Sequence, residues 1–411
     1  MDRFFCFILR LLTPQRLRYP WLIGAALWAA WILTMLLGKA NTDLSGHLIG
    51  TDFAAFYTAG KIILLGKAAS LYDLSLAHTI QQGLYPSSSP YFNPYLNPPF
   101  YGWLFVPFAL IPYPYSPLLW IGLGFLGLYF SLRWLGVEKP LKAFGLALTW
   151  LPVFYAASFG QNAFLSLSLF SLTFVLLQKK RYAPAGLVFS LLLYKPQFLI
   201  GIGLLWLLEW RKYWKALLCL AIGCLAQVGL SFLFLPDASL EYIRYTMKVA
   251  SNLMTVEGFP IWNAYSVQSF WLGLLHGQKL AAQILYAICV IPILWFFWKF
   301  WKSHRQETGL LYAAAVCLTL WITPYLMVYD WTLLLITAVL LWIYRPDKRQ
   351  LWQAIFALTW VITLVSGVLT FAQTQFLPFA IQISIPFFLW ILATIYQKVD
   401  SVKELHLEPS G

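Results

Sequence analysis

Apolar stretches long enough to cross a bilayer recur from one end of this chain to the other, each closed by a small cluster of Lys and Arg. That alternation constrains the fold more than any motif. Inside hydrocarbon the backbone has no water to bond, so a spanning segment must satisfy its own N–H and C=O groups as a helix. A helix of about 20 residues matches the hydrocarbon thickness. The composition agrees: 61% of the 411 residues are hydrophobic and only 10% charged, outside the range of water-soluble domains. The expectation is an all-α polytopic membrane protein, with residues 1–411 forming one integral-membrane domain.

The net charge of +13 raises the question of a nucleic-acid partner. Its distribution answers it, because the cations gather in alternate loops as positive-inside signals. No nucleic acid is expected. Arg10, Arg16 and Arg18 precede the first span and set the N-terminus in the cytoplasm. Arg133/Lys139/Lys142, Lys179/Lys180/Arg181, Arg211/Lys212/Lys215, Lys299/Lys302/Arg305, Arg345/Lys348/Arg349 and Lys398/Lys403 fix the later crossings. Spans are expected near Pro20–Gly38, Ser116–Arg133, Ala143–Phe159, Ala163–Gln178, Ala183–Tyr194 and Gln197–Glu209. They continue near Trp214–Leu235, Leu280–Trp298, Leu310–Thr323, Trp331–Tyr344, Trp352–Phe371 and Phe379–Tyr396. This gives about twelve transmembrane helices and both termini inside. Pro98–Ile111 (PPFYGWLFVPFALI) is apolar but short, and is expected to lie at the outer interface or re-enter the membrane. Met1–Leu12 reads as an interfacial lead-in rather than a cleaved signal, since no small-residue cleavage site follows. The five cysteines (Cys6, Cys219, Cys224, Cys289, Cys317) show no CxxC spacing and read as packing residues.

Two long outer segments result, residues 39–115 and 236–278. The first opens its helical part with GTDFAAFYTAGKIILLGKAASLYD, Gly50 to Asp73. Phe53, Phe56, Tyr57, Gly60, Ile63 and Leu64 recur at helical spacing behind Asp52. Two readings of Asp52 stand together. An acidic residue before an apolar run is an N-cap. A lone carboxylate at the membrane boundary is also placed to take a proton from a hydroxyl nucleophile. Gly60 and Gly66 are expected to let this helix approach another backbone, and Asp73 to cap the next helix. Gln161-Asn162 follows Gly160 between two spans, where it caps a helix or contacts a substrate. Lys195, in Y-K-P-Q, is a snorkelling lysine or a counter-charge for a lipid phosphate. Arg244 and Lys248, on a short helix, offer the same charge. Tyr325, Tyr329 and Asp330 sit at a further outer boundary.

The outer loops hold no D-x-D pair, the five histidines form no HExxH, and no Walker A or GxGxxG lies in a cytoplasmic loop. No cofactor and no metal site is expected.

The order of these pieces resembles glycosyltransferase family 87. The pieces are the opening G-T-D-F-x-x-[FY]-Y-x-A-G, the closing L-Y-D, then N-P-P-F, G-Q-N, Y-K-P and T-P-x-x-x-x-Y-D. The likeness runs from about Pro20 to Ala338, with the Asp52 helix as its specific part. These are GT-C-fold, metal-independent mannosyltransferases that use polyprenol-phosphate-mannose, including those that build mycobacterial phosphatidylinositol mannosides. The resemblance implies an inverting transfer on the periplasmic or extracellular side of the cell membrane, a bacterial inner membrane. The donor would be a polyprenyl-phosphate-linked sugar and the acceptor a hydroxyl of a lipid or glycan. Asp52 would be the catalytic base, and Lys195, with Arg244 or Lys248, would face the donor phosphate. Tyr57, Asn97, Gln161 and Asn162 would contact sugar hydroxyls, and Pro98–Ile111 would help to form the groove for the isoprenoid tail. Relatives often carry histidine in the outer turn where this chain has Tyr325, Tyr329 and Asp330. A transporter or flippase of a lipid-linked glycan, which moves substrate without covalent chemistry, is the rival reading; it calls for polar groups along the spans, and few are present.

Overall fold

The computed structural model describes residues 3–255 and 259–400; Lys403 of the last basic cluster lies outside them. Among the described residues the chain is helical, and its only β-type pairings are isolated bridges between Thr42 and Leu48 and between Ala264 and Met327. Among the described residues five helices are long and apolar enough to cross a membrane: Arg16–Leu36, Tyr115–Trp134, Trp210–Phe234, Lys279–Ser303 and Pro346–Phe376. Their sides stay largely uncovered by protein, with Leu36 at 77% and Leu225 at 71% exposure. Lipid is the medium that suits such sides.

Each of the other expected spans coincides with apolar helix of a different kind. Ala143–Phe159 is a pair, Pro140–Leu148 and Leu151–Ser158, bent by 79°. Pro152 accounts for the break: it has no N–H to give, and its ring clashes with the carbonyl four residues back, that of Leu148. Ala163–Gln178, Tyr182–Tyr194, Pro196–Leu208, Thr308–Ile322, Val328–Tyr344 and Ser384–Ile395 are shorter than the five. A 15-residue helix such as Thr308–Ile322 reaches about 22 Å, short of the roughly 30 Å hydrocarbon core. Of the twelve expected spans, five among the described residues are helices of full spanning length, or six with the bent pair, and the others are apolar helices that are shorter.

The chain divides into two compact units. One comprises Pro20–Pro196 and Tyr213–Leu253, the other Met1–Tyr19, Gln197–Lys212 and Met254–Gly411. In the second, Thr308–Ile322 is buried along nearly its whole length. Basic residues at the end of Lys279–Ser303 lie over tryptophans: Lys299 over Trp295 at 4.4 Å, Lys302 over Trp298 at 3.8 Å and Arg305 over Trp301 at 4.1 Å. Cation–π pairing of this kind suits the membrane–water boundary. Arg345 closes on Glu307 at 2.8 Å.

The first unit holds the Asp52 helix, Phe53–Leu64, buried along most of its length. Pro98–Ile111 is three short helical turns packed onto it. Phe105 stacks on Phe56 at 4.8 Å, and Phe53 meets Phe105 and Phe108 edge-on. Gly60 makes this fit possible, because a Cβ there would stand 2.4 Å from the Phe105 carbonyl oxygen. The close-approach expectation is correct for Gly60. It is wrong for Gly66, which has nothing within 4 Å and a φ of +72°. Gly66 serves the turn that ends the helix.

Candidate active site

Asp52 stands one residue before its helix, yet its side chain caps nothing. The first donors of the helix are met by backbone instead. Asp52 and Phe53 both give their N–H to the Phe159 carbonyl (3.0 and 3.2 Å), and Ala54 gives its own to Gly50. The φ and ψ of Asp52, −81° and −24°, are helical rather than the extended values of a capping residue. Asp73 behaves in the opposite way, accepting from the Ser75 and Leu76 N–H groups at 2.8 and 3.1 Å. Of the two readings open to Asp52, capping is therefore removed, and its carboxylate is available for something else.

What it meets is Gln161, whose Nε2 donates to Asp52 Oδ2 at 2.7 Å. The approach depends on Gly160, with φ +65°; a Cβ there would sit 2.7 Å from Phe53 Cβ. The left-handed turn lets the Phe159–Asn162 segment lie against the start of the Asp52 helix. Asp52 keeps part of its surface open to water, although protein crowds it closely. Burial pushes its carboxyl up to about 6, while the Gln161 hydrogen bond and the Lys195 charge pull the other way. A carboxylate with that affinity is poised to exchange a proton near neutral pH.

Lys195 is half-buried in an extended turn after Tyr194. That turn is held from a distance: Asn97 Nδ2 donates to the Tyr194 carbonyl at 3.2 Å, and Tyr72 Oη donates to the Asn97 carbonyl at 2.6 Å. Gln227 donates to the Ser190 carbonyl at 2.9 Å, where the preceding helix changes winding. Asn97 thus braces the lysine turn. Tyr57 is buried, with its hydroxyl on the Ile111 carbonyl at 3.3 Å and its ring edge-on to Tyr113. Asn162 is 1% exposed beside the Tyr101 hydroxyl, and neither of its amide atoms has an aligned partner. Neither Tyr57 nor Asn162 is open to a sugar in this conformation. Arg244 is exposed on its helical turn, and no contact between described residues joins it to Asp52.

Tyr325, Tyr329 and Asp330 belong to the other unit. Tyr325 is half-buried near Phe259, and Tyr329 is buried. Asp330 is 3% exposed and accepts from the Met327 N–H at 3.1 Å, closing the Val328–Leu333 turn. Its carboxylate acts as the local cap that sequence suggested for Asp52. Sequence reasoning missed Gln81 and Asn93. They exchange two amide–backbone bonds (2.7 and 3.1 Å), and Asn93 Nδ2 donates to the Thr51 carbonyl at 2.8 Å, fixing the residue before Asp52. Gln81 lies near the end of the Leu74–Gln82 helix and Asn93 in a loop, and no sequence pattern pairs them. Among the described residues no three His, Cys, Asp or Glu gather as metal ligands.

A family model, glycosyltransferase family 87, matches residues 95–328. No curated protein and no solved structure matches the chain. The matched stretch contains Asn97, Gln161, Asn162, Lys195, Arg244 and Tyr325, and begins after Asp52. It therefore stands independently of the Asp52 helix that carried the resemblance. Covering more than half of a chain with membrane-spanning helices, it identifies this protein as a membrane-embedded member of glycosyltransferase family 87.

Proposed function

We propose that this glycosyltransferase moves a hexose, mannose in the closest reading of the family resemblance, from a polyprenyl-phosphate donor to a hydroxyl of a lipid or glycan acceptor. Transfer takes place on the outer face of the membrane, with inversion at the anomeric carbon and without a metal. One observation carries the reading: a non-capping, crowded carboxylate, raised to about 6, with a lysine near enough to act on it.

In this reaction Asp52 accepts the proton of the acceptor hydroxyl as its oxygen attacks the anomeric carbon. The bond from that carbon to the phosphate oxygen breaks, and its electron pair leaves with the polyprenyl phosphate. Asp52 then returns the proton to water. The leaving phosphate is weakly basic and needs charge stabilisation more than protonation. Lys195 is the candidate for that charge, with Arg244 as an outlying contributor. Pro98–Ile111, with Trp103, Leu104 and Leu110 exposed, offers apolar surface to the isoprenoid tail. The twelve-helix count, cytoplasmic termini and an outer active site belong to the same proposal and rest on the charge pattern, and the GT-C fold rests on the family resemblance.

Purified protein incubated with labelled polyprenyl-phosphate sugars and extracted envelope lipids tests it. Label in a glycolipid, together with released polyprenyl phosphate, is expected. Donor that crosses a vesicle membrane unconsumed would establish the flippase instead.

A further inference from the structure

The amide of Gln161 is tied at both ends. Nε2 donates to Asp52 Oδ2 at 2.7 Å, and Oε1 accepts the Asn162 N–H at 3.3 Å. A carboxylate only accepts and a backbone N–H only donates, so these two partners select one orientation of the amide. The reversed amide would set oxygen against the carboxylate and N–H against N–H. The Gln161 backbone is held too, its carbonyl accepting the Trp120 indole N–H at 3.3 Å. Asp52 Oδ1 has no hydrogen bond to the described residues, and Asp52 retains accessible surface.

We propose that Gln161 is a positioning residue for the base: it pins Oδ2 of Asp52 and so presents Oδ1 to the acceptor hydroxyl. This replaces the sugar contact expected of Gln161, whose carbonyl end is already engaged by Asn162. The proposal rests on Asp52 being the base. The bond does a second thing, since an N–H donor favours the ionised carboxylate and opposes the effect of burial. Lys195 acts in the same direction from the Y-K-P turn. The Asp52 helix, the Phe159–Asn162 turn and the Asn93 segment bring no other charge to bear on the carboxylate among the described residues. Tyr57, the titratable residue on the first turns of the helix, directs its hydroxyl to Ile111.

The test is Gln161→Leu, with Gln161→Met, an unbranched side chain of similar length, should leucine prevent folding. Loss of the donor is expected to move the acidic limb of kcat/KM upward by about one pH unit or more. The rate at pH 7 should fall by roughly tenfold and recover in part as the pH is raised, which misfolding would not reproduce. In an Asp52→Asn background the same substitution should cause no further loss, because there is no base left to position. Infrared titration of the Asp52 carboxyl band, assigned by its disappearance in Asp52→Asn, reads the same shift without turnover. With Asp52→Asn inactive, an unchanged pH profile and unchanged infrared titration in the Gln161 variants would overturn the positioning role alone. Normal transfer by Asp52→Asn would overturn the base assignment and this role with it.

Discussion

At the scale of single residues, Asp52 carries opposite consequences for activity and for stability. Its carboxyl lies at about 6 in the fold against 3.8 for the free side chain. Between those values the folded state binds more protons than the unfolded one, so stability falls as pH rises through that window and stays lower above it. Asp52→Asn keeps an acceptor for Gln161 and removes the crowded, part-buried charge. It should stabilise the fold at pH 7 by about 1–3 kcal/mol, read as a raised melting temperature, while lowering turnover roughly 100-fold or more. Calorimetry and a transfer assay on one preparation would show the two effects moving in opposite directions. For the wild type, kcat/KM should decline below about pH 6 as the base is protonated. Lys195→Met removes a charge that favours the ionised carboxylate, so its acidic limb should move upward and the donor KM should increase. Lys195→Arg should restore most of the donor KM, a distinction that steady-state kinetics can read.

At the scale of elements, the site depends on two close approaches. Gly60 lets the Pro98–Ile111 turns press their backbone against the Asp52 helix, and Gly160 brings Gln161 to its first residue. Gly60→Ala must displace backbone rather than a flexible side chain, and should destabilise the protein by about 1–3 kcal/mol, measured as a lowered melting temperature. The helix from Phe53 to Leu64 was legible from its apolar spacing, but burial takes in every residue from Phe53 to Ile63 except Lys61 and leaves Leu64 exposed, which only packing decides. The bend at Thr149–Trp150 was legible only as a proline in an apolar run. A long kinked span and two helices meeting at 79° satisfy the same sequence pattern, and packing chooses between them.

At the scale of the whole molecule, the charge pattern makes a prediction about sidedness. A cysteine placed at Ser45, exposed in the first long loop, should react with an impermeant maleimide added outside intact cells. One placed at Lys180, exposed after the Ala163–Gln178 helix, should react only after permeabilisation. Labelling of both from one side would remove the outer-face assignment. Hydropathy made the apolar segments visible, but a window of apolar residues does not distinguish a full crossing from a shorter buried helix. Thr308–Ile322 shows why: its residues turn to protein on nearly every side, whereas those of Trp210–Phe234 are mostly uncovered.

The helical, membrane-embedded class, the order of the segments and the family were all readable from the residues in order. All three follow from composition and local order, which hydrophobicity and charge write directly along the chain. That Asp52 leaves its helix uncapped and is held by an amide came only from packing, because the Phe159 carbonyl that meets the first N–H groups and the Gln161 amide lie more than a hundred residues away in the chain. Tertiary structure also decided that Asp330, with an equally suggestive sequence setting, closes its own turn. A carboxylate's role is set by the donors that reach it, and those donors are brought by packing.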